Sequence, residues 1–158
     1  MPVSLSTLQK FLMTMGMAMV PVVELRGAIP FGVSLGLTTV EAFIAGIIGN
    51  ILPVPFILIL LEKIFMLLRR IPKLRNFVHK LEDRAHIKGE LVRKYSLLGL
   101  FIIVAIPIPG TGAWTGALIA SVLRLKRWPA FAAIAGGVIA AGVIVFLATH
   151  GVVSAIQS

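Results

Sequence analysis

The sequence predicts an all-α integral membrane protein. Its expected plan is an inverted repeat of a re-entrant helical hairpin plus a transmembrane helix, with a cytoplasmic amphipathic helix between the repeats. Three observations predict it. The chain is 58% hydrophobic and only 13% charged, with a mean hydropathy of +1.02. Two apolar runs reach crossing length, while the other apolar pieces are about half as long. Lysine and arginine gather in two segments and are missing from others.

The length of 158 residues suits a single membrane domain over 1–158. Repeat 1 takes about 5–68, an amphipathic linker about 69–94, and repeat 2 about 95–158. The N-terminal apolar run lacks the basic start and small-residue cleavage site of a signal peptide. The absence of cysteine excludes disulfides, thiolate nucleophiles and Cys-based metal sites. A net charge of +9 would suggest nucleic acid in a soluble protein. Here the basic residues adjoin apolar spans, so anionic lipid headgroups are the expected partner and nucleic acid is not.

The first piece, Phe11 to Val23, is joined around Glu24-Leu-Arg-Gly27 to Ala28 to Leu37. Helical pieces of about 10 residues rise ~15 Å, half of a ~30 Å bilayer core. Two such pieces with a Pro/Gly tip read as a hairpin that re-emerges on its own side. Ala42 to Leu61 is 20 residues long, enough to cross. Asn50, Pro53 and Pro55 interrupt it, and a kink there frees carbonyls that Asn50 could satisfy. From Lys73 to Lys94, Leu74, Phe77, Val78, Leu81, Ala85 and Val92 recur at three- and four-residue spacings, with basic residues opposite. This predicts an amphipathic helix on the cytoplasmic leaflet, either lipid-facing or a solvated connector. Leu97 to Ile106, the tip Pro107-Ile-Pro-Gly110 and Ala113 to Leu123 form the second hairpin. Ala130 to Thr149, again 20 residues, is the second crossing.

Charge fixes the expected topology. Ten basic residues from Lys63 to Lys94 separate the two halves, and Arg124, Lys126 and Arg127 precede the last crossing. With both segments cytoplasmic, Leu97 to Leu123 enters and leaves on one side, and both termini are external. Six crossings would need helices of 10 or 11 residues, half the length that a bilayer core demands. The halves also align weakly: Glu41–Gly49 with Pro129–Gly137 pairs Phe43 with Phe131 and Gly49 with Gly137.

The candidate site lies at the hairpin tips. Glu24 and Arg26 are two charges in an apolar region, each costing roughly +2.5 to +3.5 kcal/mol at a helix centre. Helix N-termini near Gly27 and Gly112 carry about +0.5 charge with free N–H groups, and Arg26 adds a fork suited to phosphate or carboxylate. Glu24 could hold Arg26 when the site is empty, take a coupling proton or cation, or form a static ion pair. Gly110, Thr111, Gly112, Thr115 and Gly116 leave little bulk for an approaching ligand or helix, and Gly32-x-x-x-Gly36 and Gly112-x-x-x-Gly116 fit small-residue packing. Trp114 lines or fills the same region. Three histidines and one aspartate lie in or beside flanking segments. No nucleotide loop, metal cluster or catalytic constellation stands out, so neither enzyme activity, metal nor cofactor is expected.

Glu24-Leu-Arg-Gly-Ala-Ile-Pro30 and Pro107-Ile-Pro-Gly-Thr-Gly-Ala-Trp-Thr-Gly116 resemble the small multi-drug export proteins, over nearly the whole chain. That family looks like a distant relative of the DedA membrane proteins, which implies two opposed re-entrant hairpins in an inner or plasma membrane. Several DedA proteins are linked to recycling undecaprenyl phosphate with proton-motive-force dependence. By this resemblance Glu24 matches the acid of the first hairpin, and Pro107, Pro109 and Gly110 match the Pro-Gly tip of the second. DedA proteins usually carry arginines around that second tip; this chain has none between Lys94 and Arg124. Three functions follow as expectations: translocation of an anionic lipid carrier such as undecaprenyl phosphate, export of small lipophilic cations with Glu24 as counter-charge, or a non-transporting scaffold. Arg26 and the helix N-termini favour the anion. A homodimer is one assembly open to such a chain.

Overall fold

The computed structural model describes residues 5–68, 70–74, 76, 77, 79, 80, 83, 95–108 and 110–157. The expected amphipathic helix over 69–94 falls largely outside the described residues, as does Pro109. The described chain is helical throughout: α1 Thr7–Met19, α2 Glu24–Ser34, α3 Thr39–Ile51, α4 Val54–Leu68, a 3-10 turn at Pro72–Leu74, α5 Leu97–Ala105, α6 Ala113–Val122 and α7 Arg127–Gln157.

Local chemistry sets these boundaries. Ser6 and Thr38 cap α1 and α3, each in a reciprocal capping box with Gln9 or Glu41. Val20 and Ile106 precede prolines and are extended, which ends α1 and α5. Pro53 cannot donate to Gly49, so the apolar stretch breaks there into α3 and α4. The first hairpin differs from the expected one in register. Its turn is Val20–Val23, and α2 starts at Glu24, not near Gly27. The Glu24 N–H donates to the Val20 carbonyl at 2.9 Å and that of Gly27 to Val23 at 3.1 Å, which closes the helix one turn early. The second hairpin follows its expected bounds within a residue.

Thr39–Leu68 and Arg127–Ile156 are long and apolar enough to cross a membrane. Val40, Ile44, Ile48, Leu52, Phe56, Leu60 and Ile64 are all exposed, a row at four-residue spacing down the first. A soluble surface seldom carries such a row, whereas lipid solvates it. Length and apolar composition qualify both helices as candidate membrane spans.

Two compact units emerge: Met1–Leu52 with Val138–Ser158, and Pro53–Gly137. In the first, α1, α2 and α3 pack mutually. Ala42, Ala45, Gly46 and Gly49 give α3 a small-residue face; a Cβ on Gly49 would overlap the Met15 carbonyl, and one on Gly46 would stand 3.0 Å from Ile29 Cγ1. The end of α7 joins this unit, with Gly142 beside Ile47 and the Phe43 and Phe146 rings edge-on at 5.4 Å. In the second unit α6 packs on α4 and α5. A Cβ on Gly116 would stand 2.6 Å from Val104 Cγ2, and one on Gly137 2.8 Å from the Phe101 carbonyl. Gly32 is used likewise, within 2.9 Å of Ala42 Cβ, so one glycine of each small-residue pattern, Gly32 and Gly116, serves close packing. Gly36 has another role: with φ 89° it turns the end of α2.

Candidate functional site

Glu24 opens α2 and is 5% exposed. Residues two apart on a helix do not face each other, yet Arg26 Nη1 donates to Glu24 Oε2 at 2.5 Å. The backbone explains the meeting. Glu24 has φ 49°, a left-handed conformation that swings its side chain off the regular helical direction. A carboxylate at a helix N-terminus is also favoured by the dipole. The pair therefore neutralises two charges at low solvent exposure, where either one alone is costly. Gly27 sits in the next position; a Cβ there would come 2.5 Å from Val23 Cγ1, so its smallness lets the turn fold against the helix.

Asn50 belongs to the same unit. It is 1% exposed, and neither Oδ1 nor Nδ2 has a hydrogen-bond partner among the described residues. Gly32 of α2 faces Ala42 of α3, while Gly46 faces Ile29 and Leu25. That antiparallel register puts Asn50, one turn beyond Gly46, level with the start of α2. A buried unsatisfied amide costs about 1–3 kcal/mol, so an amide at the level of a buried ion pair is suited to a polar guest. Thr14 is the other fully buried polar residue here, and its hydroxyl donates to the Lys10 carbonyl at 2.8 Å.

The remaining candidates lie in the second unit. Pro107 follows the extended Ile106, and Gly110 is exposed with φ 80°. The Thr111 hydroxyl is within 2.9 Å of the Ile106 carbonyl and 2.8 Å of the Ile108 carbonyl, and that of Thr115 donates to Gly110 at 2.9 Å. These bonds brace the tip. Gly112 is the N-cap of α6, without a capping side chain or an acid in the first turn, and Trp114 is half-buried on that turn. The structure thus groups Glu24, Arg26, Gly27 and Asn50 in one unit and Pro107 to Trp114 in the other.

Sequence reasoning passed over one interaction. Arg127 Nε donates to Glu62 Oε2 at 2.6 Å, joining the start of α7 to the end of α4. The available signal was position: Glu62 directly follows one expected crossing and Arg127 shortly precedes the other.

Residues 24–144 match the family described as "Putative small multi-drug export protein". No curated protein and no solved structure matches the chain.

Proposed function

The chain belongs to the small multi-drug export family, and from that premise we propose a membrane transporter that moves an anionic lipid carrier, such as undecaprenyl phosphate, together with a proton carried on Glu24. One observation carries the choice of an anion. The Arg26 side chain is 19% exposed and that of Glu24 only 6%, so an arriving ligand meets the guanidinium first. The forked donors of arginine fit a phosphate in two-pronged fashion. In the resting state Glu24 occupies that fork. Protonation of the carboxylate releases the guanidinium to the phosphate, and deprotonation restores the ion pair and expels the anion.

The same proposal makes both hairpins re-entrant, in an inverted repeat. Helices of 9 to 13 residues rise about 14–20 Å, short of a ~30 Å core. The paired features recur at constant spacing: α2 ends at Ser34 and α6 at Val122, and α3 begins at Thr39 and α7 at Arg127, each pair 88 positions apart. Two crossings in a basic-inside orientation then leave both termini external.

A second reading, export of small lipophilic cations, draws on the family description. Glu24 would then be the counter-charge, with Arg26 displaced by the drug. Binding of polyprenyl phosphate, its uncharged alcohol and a lipophilic cation to purified protein separates the two. The anion reading expects the phosphate to bind best, Arg26→Lys to weaken it and Arg26→Ala to abolish it. Equal binding of phosphate and alcohol, or cation binding that Arg26→Ala improves, would select the second reading.

A further inference from the structure

The second unit holds a cavity of about 570 Å³ between the end of α4, the end of α6 and the start of α7. Its charges are unbalanced: Arg124, Lys126 and Arg127 stand against Glu62 alone. Arg127 is held by Glu62 at 2.6 Å. The side chains of Arg124 and Lys126 make no hydrogen bond or ion pair among the described residues, and both are exposed. Phe65 and Met66 give the cavity an apolar wall, and Met66 is 54% exposed. Just beyond the rim Trp128 is 80% exposed, as tryptophans are where hydrocarbon meets headgroups. Because α7 begins at Arg127, its unbonded N–H groups lie at the same rim.

The backbone adds an independent observation. Gly36 after α2 and Arg124 after α6 close the same turn. In each, the N–H of that residue bonds the carbonyl of the penultimate helical residue, and the next N–H reaches one residue deeper, as Leu37 to Gly32 at 3.1 Å and Leu125 to Ala120 at 2.9 Å. Both turning residues have positive φ, 89° and 52°. Glycine adopts that conformation freely and arginine does so at a cost. An unfavourable residue held in a strained position, with its charge free at a cavity, argues for a task beyond making the turn.

We propose that this cavity is a headgroup site for an anionic membrane phospholipid, separate from the Glu24 site and independent of what that site transports. Arg124 and Lys126 hold the phosphodiester, Arg127 and the α7 N-terminus complete its charge environment, and the acyl chains run along Phe65 and Met66. Basic pockets between membrane helices are suited to such headgroups, and the apolar wall favours a lipid over a soluble anion.

Trp128 reports directly on this site. In a Trp114→Phe background the full chain is placed in vesicles containing brominated phosphatidylglycerol or brominated phosphatidylcholine, and Trp128 quenching is compared. Brominated phosphatidylglycerol should quench several-fold more effectively. Arg124→Gly deletes the charge while relaxing the backbone, and should cut that preference about fivefold with an unchanged or raised melting temperature. Adding Lys126→Gln should abolish the preference, and Glu62→Gln should increase it. Equal quenching by the two lipids, or a preference that survives the double substitution, would overturn the proposal. So would relief of quenching by millimolar glycerol phosphate, which marks a soluble-anion site, or a lowered melting temperature in Arg124→Gly, which makes Arg124 structural.

Discussion

Glu24 carries three unfavourable features at once: burial, charge and a left-handed backbone. Each has a cost of about 1 kcal/mol or more, and a hairpin that needed only to be stable would do better with glycine. Glu24→Gln keeps the size of the side chain and the same backbone demand, so it isolates the charge. The expected outcome is a folded protein, by melting temperature and detergent monodispersity, that no longer moves substrate in reconstituted vesicles. Unfolding would identify a static lock instead, and full transport would remove Glu24 from the mechanism. Asn50 offers a complementary test. Its amide is buried without a partner among the described residues, so Asn50→Leu should raise stability by about 1–3 kcal/mol. Transport should fall at the same time. A gain in stability with transport unchanged would leave Asn50 as mere filling. At this scale the sequence was partly legible. Two charges in an apolar run announce themselves, and so does an amide in a crossing helix. The positive φ of Glu24 does not, because nothing about glutamate signals it, and the start of α2 a turn before Gly27 is illegible for the same reason.

At the scale of elements, glycine smallness positions the site. Gly49 lets α3 lie against the α1 backbone at Met15, while a Cβ on Gly16 would meet nothing within 4 Å. Gly49→Ala should therefore force the two helices apart and cost about 1–3 kcal/mol. Gly16→Ala should be neutral or stabilise by up to about 1 kcal/mol through helix propensity. Thermal melts in detergent of the two variants, side by side, check this; equal melting temperatures would mean that the α1–α3 contact is looser than described. Gly137 repeats the device against Phe101 and Val104, 88 positions after Gly49. Each of these two glycines thus lets its helix lie close against a neighbouring backbone. The end of α5 before Pro107 was legible; Pro21 and Thr38 carry equally strong chemistry, yet the apolar run alone carried the first piece on to Val23 and started the crossing at Ala42. The Arg124 turn was hidden because arginine is an unlikely residue there.

At the scale of the whole molecule, hydropathy made the two long apolar helices readable, each of a length that suits a bilayer core. Orientation rests on charge asymmetry, and the Cys-free chain allows it to be measured directly. Leu8→Cys, Lys73→Cys, Lys126→Cys and Ile156→Cys place single thiols at exposed positions, one in each expected flank. With two crossings and two re-entrant hairpins, Leu8→Cys and Ile156→Cys react with an impermeant maleimide in intact cells. Lys73→Cys and Lys126→Cys react only after permeabilisation. The pair Lys73 and Lys126 tests the hairpin: α5 and α6 lie between them, and the re-entrant reading requires both thiols to label from one side. Labelling of Lys73→Cys and Lys126→Cys from opposite faces would require an odd number of crossings between them and would end the re-entrant reading. Labelling of Lys73→Cys from outside in intact cells would invert the orientation, and with it the assignment of the basic segments to the cytoplasmic leaflet.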